Sequence, residues 1–276
     1  MSRLILAAVL SGCGWHAPAA AEAVPGGVVD LYLPNSGLDP PSVFYGNRQV
    51  LVRRIDDRWQ ALVAIDLDTA PGDYVVRIEA TNQDPVHQTL TVRPHREPRV
   101  VRPATAGSAS ADDSGYPPPP PPPPPVHWRA ELDATLPLSY PIYRSVLLAG
   151  DRRYGTRRLM ANGSYHWDVG LEFKIRNNSR VNAPGAGTVS YVLSAGRQAF
   201  AVYVDHGMGL VSGVYPVTDV KVAPGNQVTR GALLGRIYNP VADGPVIITW
   251  TLRMNGAYVD PVLFSEDAGA TTVTGD

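Results

Sequence analysis

Short apolar runs bounded by turn-forming residues are the feature of this sequence that most constrains its fold. Between residues 24 and 95 there are five such runs, each five to seven residues long, at 28–33, 50–55, 59–65, 74–79 and 88–92. Clusters of Pro, Gly, Asn and Asp separate them, and runs of this length are typical of strands. Alternation in the fourth run places Tyr74, Val76 and Ile78 on one face. The pattern predicts an immunoglobulin-like β-sandwich over residues 24–95.

Composition agrees with a chain of short strands and excludes several classes of function. The 276 residues include 26 Gly and 27 Pro, which favour many turns over long helices. The formal charge is −1, from 24 basic and 25 acidic residues, so no overall field draws the chain to nucleic acid or to anionic lipid. Neither a Gly-x-Ser-x-Gly elbow nor a phosphate-binding glycine loop occurs.

The second half of the chain has the same pattern of short strands, and its apolar segments end in glycine. Its centre is Asp-Val-Gly-Leu-Glu-Phe at 168–173, followed by glycine-closed apolar segments at 181–189, 204–211 and 228–235. Each segment is typical of a strand that ends in a tight turn. Residues 128–265 are therefore predicted to form a second all-β domain.

Three motifs in this half carry a resemblance to a known family. They are Tyr-Gly-Thr-Arg-Arg at 154–158 with Asn-Gly at 162–163, Asp-His-Gly at 205–207, and Asn-Gly-Ala-Tyr-Val-Asp-Pro at 255–261. In this order they resemble the lysostaphin/LytM-type zinc metallopeptidases, bacterial enzymes that cut peptide cross-links in peptidoglycan. The resemblance implies a lysostaphin-like β-domain built on a duplicated hybrid motif.

The first half resembles the N-terminal β-domain that precedes the peptidase domain in some Gram-negative members of that family. The matching stretches are Val-Pro-Gly-Gly at 24–27, the run at 58–65 and Ala-Pro-Gly at 70–72. Their order relative to the second domain agrees with the family.

The residues that would perform the family's chemistry are replaced. The resemblance places Asp168 and Glu172 at the first two zinc-ligand positions and Ile248 at the third. It places Val246 and Pro216 at the positions of the two histidines that assist catalysis. A catalytic zinc needs about three protein ligands and an open position for water. Because valine, isoleucine and proline side chains cannot ligate or exchange a proton, the sequence predicts no catalytic residue, no bound metal and no cofactor.

The replaced positions favour an inactive protein that binds the cell wall, and the sequence leaves two alternatives to it open. The first is a divergent peptidoglycan metalloendopeptidase that uses Asp168 and Glu172 with zinc, and with His166 or His206 as a further ligand. The second is a purely structural module of the cell envelope.

Aromatic and basic side chains that flank the replaced positions are candidates for binding a ligand in the former substrate groove. Such rings stack against sugars or hold peptide stems. The candidates are Tyr165, His166, Trp167, Arg157, Tyr215 and Trp250.

The amino terminus predicts export. Residues 1–23 contain a basic start at Arg3, an apolar core and a small-x-small site that ends at Ala23, which is typical of a cleaved signal peptide. The single cysteine, Cys13, also fits a lipoprotein signal, and only that route attaches the chain to a membrane. Both routes predict the periplasm or cell envelope.

Residues 96–127 are predicted to form a linker and residues 266–276 a disordered tail. Nine prolines at 117–125 would extend about 28 Å in polyproline II conformation, as a stiff spacer. Together these features predict an inactive LytM-type protein that binds peptidoglycan or regulates wall hydrolases, with a cell-wall amidase as a candidate partner.

Overall fold

The computed structural model describes residues 21–33, 39–94, 100–101, 146–147, 154–159, 163–194, 199–238 and 245–265. Cys13, the nine prolines and the predicted tail lie outside these residues, as does most of the predicted signal peptide. No helix in the described part of the chain is both long enough and apolar enough to cross a membrane.

The N-terminal half forms eight strands in two sheets. They are β1 (Ala21–Ala23), β2 (Val28–Tyr32), β3 (Ser42–Tyr45), β4 (Arg48–Gln49), β5 (Leu51–Ile55), β6 (Arg58–Ala64), β7 (Gly72–Glu79) and β8 (Val86–Val92). One sheet has the order β1-β8-β7-β3-β4 and the other β2-β6-β5. Val43, Leu62, Val76 and Leu90 are buried between them. The predicted β-sandwich is confirmed, with β1, β3 and β4 as strands that the apolar runs did not indicate.

The first described strand overlaps the predicted signal peptide. Ala21–Ala23 pairs parallel with β8, and Ala23 lies opposite Val92. The carbonyl of Ala23 also accepts a hydrogen bond from the backbone N–H of Arg93 at 2.8 Å. The sandwich therefore includes the last three residues of the segment that the sequence assigns to the signal.

The C-terminal half is also all β. Its strands are β9 (Val100–Val101), β10 (Val146–Leu147), β11 (Arg157–Leu159), β12 (Tyr165–Trp167), β13 (Gly170–Ile175), β14 (Ser179–Asn182), β15 (Gly187–Ser194), β16 (Phe200–Asp205), β17 (Leu210–Val217), β18 (Gln227–Val228), β19 (Leu233–Ile237), β20 (Val246–Met254) and β21 (Ala257–Val259), followed by a short 3₁₀ helix at Pro261–Phe264.

One large sheet dominates this half. Its order is β10-β13-β20-β17-β16-β15-β18, and β21 pairs with β20. Two small sheets, β12-β11-β9 and β14-β19, stand beside it. β20 is a central strand, paired antiparallel with β13 on one edge and β17 on the other, and seven of its nine residues are buried. The predicted all-β fold class is confirmed for both halves.

The two described segments that flank the proline run both belong to the C-terminal half. β9 pairs parallel with β11, through Val100 beside Arg157. β10 pairs antiparallel with β13, through Leu147 beside Phe173. A strand thus lies inside the stretch that the sequence assigns to the linker.

The two halves are in direct contact. The hydroxyl of Tyr154 donates to the carbonyl of Tyr258 at 2.7 Å and lies 3.1 Å from the carbonyl of Gly26 in the β-sandwich. With its amide oriented to suit its neighbours, Asn255 donates to the carbonyl of Gln49 at 3.0 Å and accepts from the N–H of Leu51 at 3.1 Å. These bonds join the closing motif of the second domain to the first domain.

A further hydrogen bond joins the domains beside the 168–173 segment. The indole N–H of Trp167 donates to Asp68 Oδ1 at 2.6 Å. The loop between β6 and β7, which carries Asp68, is thereby held against the β11–β12 hairpin.

Removing the Tyr154 hydroxyl should weaken the contact between the domains. We expect Tyr154→Phe to lower the free energy of unfolding by about 1 kcal/mol, because the carbonyl of Tyr258 loses its donor and that of Gly26 loses a polar neighbour. Tyr32→Phe is the matched control, since the Tyr32 side chain is 57% exposed. Urea unfolding measures both, and equal stability of the two variants would contradict the assignment.

Candidate functional site

The candidate site lies on one face of the large sheet, where β13, β20 and β17 run side by side. Glu172 lies opposite Thr249, and Thr249 lies opposite Tyr215 on the next strand. Because side chains alternate along a strand and paired residues share a face, these three side chains project from the same side. Glu172 and Thr249 are both buried, with 4% and 2% of their surface exposed.

A glycine allows the strands to pack closely at this point. Gly170 lies opposite Thr251, and a Cβ atom at Gly170 would come within 2.9 Å of Thr249 Cγ2 and 3.0 Å of Thr251 Cγ2. Any other residue would push the threonines away. This is the physical reason for the glycine between Asp168 and Glu172.

The strand register corrects the third position of the predicted ligand set. Ile248 lies opposite Phe173, and Val246 opposite Ile175, so both face the apolar core and not Glu172. Ile248 and Phe173 are fully buried. A shift of one residue moves a side chain to the other face of a sheet. The residue that faces Glu172 is therefore Thr249.

The first predicted position is occupied by an ion pair. Asp168 is fully buried, and Arg158 donates to it through Nη2 to Oδ2 at 2.9 Å and Nε to Oδ1 at 3.3 Å. The Arg158 side chain is 21% exposed. This two-pronged geometry is the strongest form of an arginine–carboxylate pair. The guanidinium supplies the positive charge that a buried carboxylate requires.

These residues do not fit a catalytic zinc site of three ligands. Both oxygens of Asp168 accept from Arg158, and the residue facing Glu172 is a threonine. Zinc prefers imidazole, thiolate and carboxylate ligands. Among the described residues, no group of three or more His, Cys, Asp and Glu side chains could hold a metal ion.

His206 belongs to a separate network on the other face of the sheet. Its Nδ1 lies 2.8 Å from the carbonyl of Ala186, and its Nε2 lies 2.8 Å from Ser212 Oγ. Trp250 Nε1 donates to the same Ser212 Oγ at 3.2 Å. A carbonyl can only accept, so Nδ1 carries the proton, and the Ser212 hydroxyl donates to Nε2. His206 is a neutral structural residue here.

Burial sets the charge state of His206. Its side chain is 1% exposed, and burial lowers its pKa from the ordinary 6.5, against smaller raising effects of the Ala186 carbonyl and Asp205. Trp250, which is fully buried in the same network, cannot reach a ligand. The groove-binding role that the sequence suggested for Trp250 is therefore wrong.

Four of the other candidates lie on the β11–β12 hairpin. Arg157 lies opposite Trp167, and its guanidinium carbon lies 4.1 Å from the centre of the Tyr165 ring and 5.8 Å from that of Trp167. Tyr165 is 48% exposed, and His166 is exposed on the opposite side of the hairpin, beside Arg158. We call Arg157, Tyr165 and Trp167 the aromatic platform.

Tyr215, the remaining candidate, is half-buried on the Glu172 face, and Pro216 follows it in the strand. Sequence reasoning missed Thr249 and Asp68 at this site. Thr249 depends on strand register and Asp68 on the docking of the domains. Neither is encoded in local spacing.

Loss of Arg158 should destabilise the fold by leaving a buried charge unpaired. We expect Arg158→Ala to lower the free energy of unfolding by about 3 kcal/mol. Arg180→Ala, at an exposed arginine of β14, is the control and should change it by less than about 0.5 kcal/mol. The double variant Arg158→Met/Asp168→Leu should recover most of the loss. Equal effects of the two single variants in urea unfolding would refute the pairing.

The neutral state of His206 predicts a dependence of stability on pH. Below about pH 6.5 the unfolded chain binds a proton at this histidine while the folded chain does not, so the free energy of unfolding should fall with acidification. His206→Gln should reduce the difference in stability between pH 7.5 and 5.5. His87→Gln, at an exposed histidine, should leave that difference unchanged. An identical pH dependence in wild type and His206→Gln would contradict a buried neutral imidazole.

Two family models match the chain. Residues 21–92 match the peptidase family M23 N-terminal domain, and residues 166–261 match peptidase family M23. The search of curated proteins gives no significant match.

Solved structures with a similar fold include relatives of both halves. A Pseudomonas aeruginosa protein assigned to peptidase M23 is 26% identical, with a TM-score of 0.56, over 87% of this chain and 94% of that one. Helicobacter pylori Csd3 is 10% identical, with a TM-score of 0.40, over 86% of this chain and 76% of its own. A zinc-containing peptidase from Vibrio cholerae is 16% identical, with a TM-score of 0.38, over 46% of this chain and 40% of its own.

The family models cover the β-sandwich and the large sheet in the order that the motifs predicted, and the P. aeruginosa protein spans both. The chain thus contains a region that matches the M23 N-terminal domain, followed by a region that matches peptidase family M23.

Proposed function

We propose that this protein is a non-catalytic member of the M23 family that binds peptidoglycan. The observation that carries the proposal is the state of the ligand positions: Asp168 is paired through both oxygens with Arg158, and Thr249 faces Glu172. A metallopeptidase needs ligands that are free to bind the metal and a group that can exchange a proton. Among the described residues of this face, Asp168 is engaged by Arg158, and a threonine stands where a further ligand would face Glu172. Membership of the M23 family connects the chain with peptidoglycan.

The aromatic platform supports a binding role. Tyr165 exposes nearly half of its surface, and the opposite strand holds Arg157 against its ring. Exposed rings that are fixed in place stack on sugars and on peptide groups with little loss of side-chain entropy. The platform sits on the hairpin that leads directly into Asp168, so a ligand bound there would lie beside the former ligand positions.

Binding without cleavage fits a protein that brings other enzymes to the wall. We propose that it acts in the periplasm or cell envelope and that a cell-wall amidase is its protein partner. The predicted signal segment, residues 1–23, supports export.

The proposal predicts retention on purified peptidoglycan without release of soluble fragments. Tyr165→Ala should reduce retention about tenfold, because the exposed stacking ring is lost. Tyr32→Ala removes an exposed tyrosine of the first domain and should not reduce it. Sedimentation with insoluble wall measures retention, and elemental analysis after dialysis against zinc measures bound metal.

One zinc per chain, together with wall hydrolysis that Glu172→Gln abolishes, would overturn the proposal in favour of an active metalloendopeptidase. Failure of the wild-type protein to sediment with wall would refute the binding role itself.

A further inference from the structure

Arg157 differs from other arginines of the described structure in the groups that it contacts. Arg158 is paired with Asp168, Arg53 Nε donates to Gln60 Oε1 at 2.7 Å, and Arg253 Nη2 donates to the carbonyl of Gly256 at 2.9 Å. Arg157 lies against the Tyr165 and Trp167 rings. Among the described residues, no hydrogen-bond acceptor or carboxylate engages its guanidinium.

The guanidinium is nevertheless held in place. The centre of the Tyr165 ring lies 4.1 Å from its central carbon, which is the distance of a close cation–π contact. Trp167 is fixed in turn, because its indole N–H donates to Asp68 Oδ1 at 2.6 Å. The two rings therefore hold the guanidinium of Arg157 in place but accept no hydrogen bond from its N–H groups.

An arginine in this state is suited to bind an anion. Its planar fork matches the two oxygens of a carboxylate, and its flanking rings reduce the entropy that is lost on binding. The exposed Tyr165 ring adds a surface for a sugar ring or the carbons of a peptide. A ligand that combines a carboxylate with such a group fills both parts of the platform.

We propose that Arg157 is a carboxylate receptor and that, in peptidoglycan, it binds a free carboxylate of the stem peptide while Tyr165 contacts the adjoining sugar or peptide carbons. This inference rests on the proposed binding of peptidoglycan and specifies the group that is recognised. Amidation of that carboxylate removes its charge and its second acceptor oxygen, so amidated wall should bind more weakly.

The test compares two disaccharide-peptides that differ only in whether the stem carboxylates are free or amidated. Isothermal titration calorimetry with the full chain should give an affinity at least about tenfold higher for the free acid, as expected for hydrogen bonds to a charged group. Arg157→Gln should bind both compounds equally, at the level of the amidated one. Arg157→Lys, which keeps the charge but loses the planar fork, should lie between. Arg180→Gln, at an exposed arginine of β14, should behave as wild type.

The outcomes separate this inference from the proposed function. Equal binding of both compounds by the wild-type protein overturns the carboxylate receptor and leaves wall binding standing. Binding of neither compound, together with no retention on intact wall, removes the proposed function as well. If Arg157→Gln does not fold, the affinities of the wild-type protein for the free and the amidated compound are sufficient to decide.

Discussion

The burial of Asp168 is the constraint on which the site depends. Burying a carboxylate costs free energy unless it is paired or hydrogen-bonded, and Arg158 on β11 provides a charged partner for Asp168. The pair ties the β11–β12 hairpin to the start of β13. Because side chains alternate along a strand, the side chain of Arg157 projects to the opposite side from that of Arg158, toward Tyr165 and Trp167. One ion pair thus fixes the Asp168 carboxylate and leaves the aromatic platform on the other side of the hairpin.

The large sheet separates two kinds of polar chemistry. On the face of Trp250, the bonds among Ala186, His206 and Ser212 satisfy each polar group within the apolar core, which is what burial requires. On the other face, the buried side chains of Glu172 and Thr249 lie opposite each other. The sequence offers His206 as a potential ligand, but the sheet places its ring among core residues.

The fold was predictable because it follows from local patterns. Short apolar runs, glycine-closed turns and the order of the motifs correctly indicated two β-domains of the M23 type. The site was predictable only in part. Asp168 and Glu172 follow a contiguous motif, whereas Thr249 depends on the pairing of distant strands, where one residue decides the face. The sequence does not show whether Trp250 lies in a groove or in the core, because aromatic side chains occur in both. Asp68 enters only through the docking of the first domain.

The strands with which β9 and β10 pair bear on the role of the proline-rich sequence between them. β9 and β10, which flank the proline run in the sequence, both pair with strands of the C-terminal half, β9 with β11 and β10 with β13. The two halves meet directly, through hydrogen bonds of Tyr154, Asn255 and Trp167. Loop-closure entropy grows only with the logarithm of length, by about 0.6 kcal/mol for each doubling. A change in the number of prolines between β9 and β10 that falls short of doubling this length should therefore alter the free energy of unfolding by less than that amount.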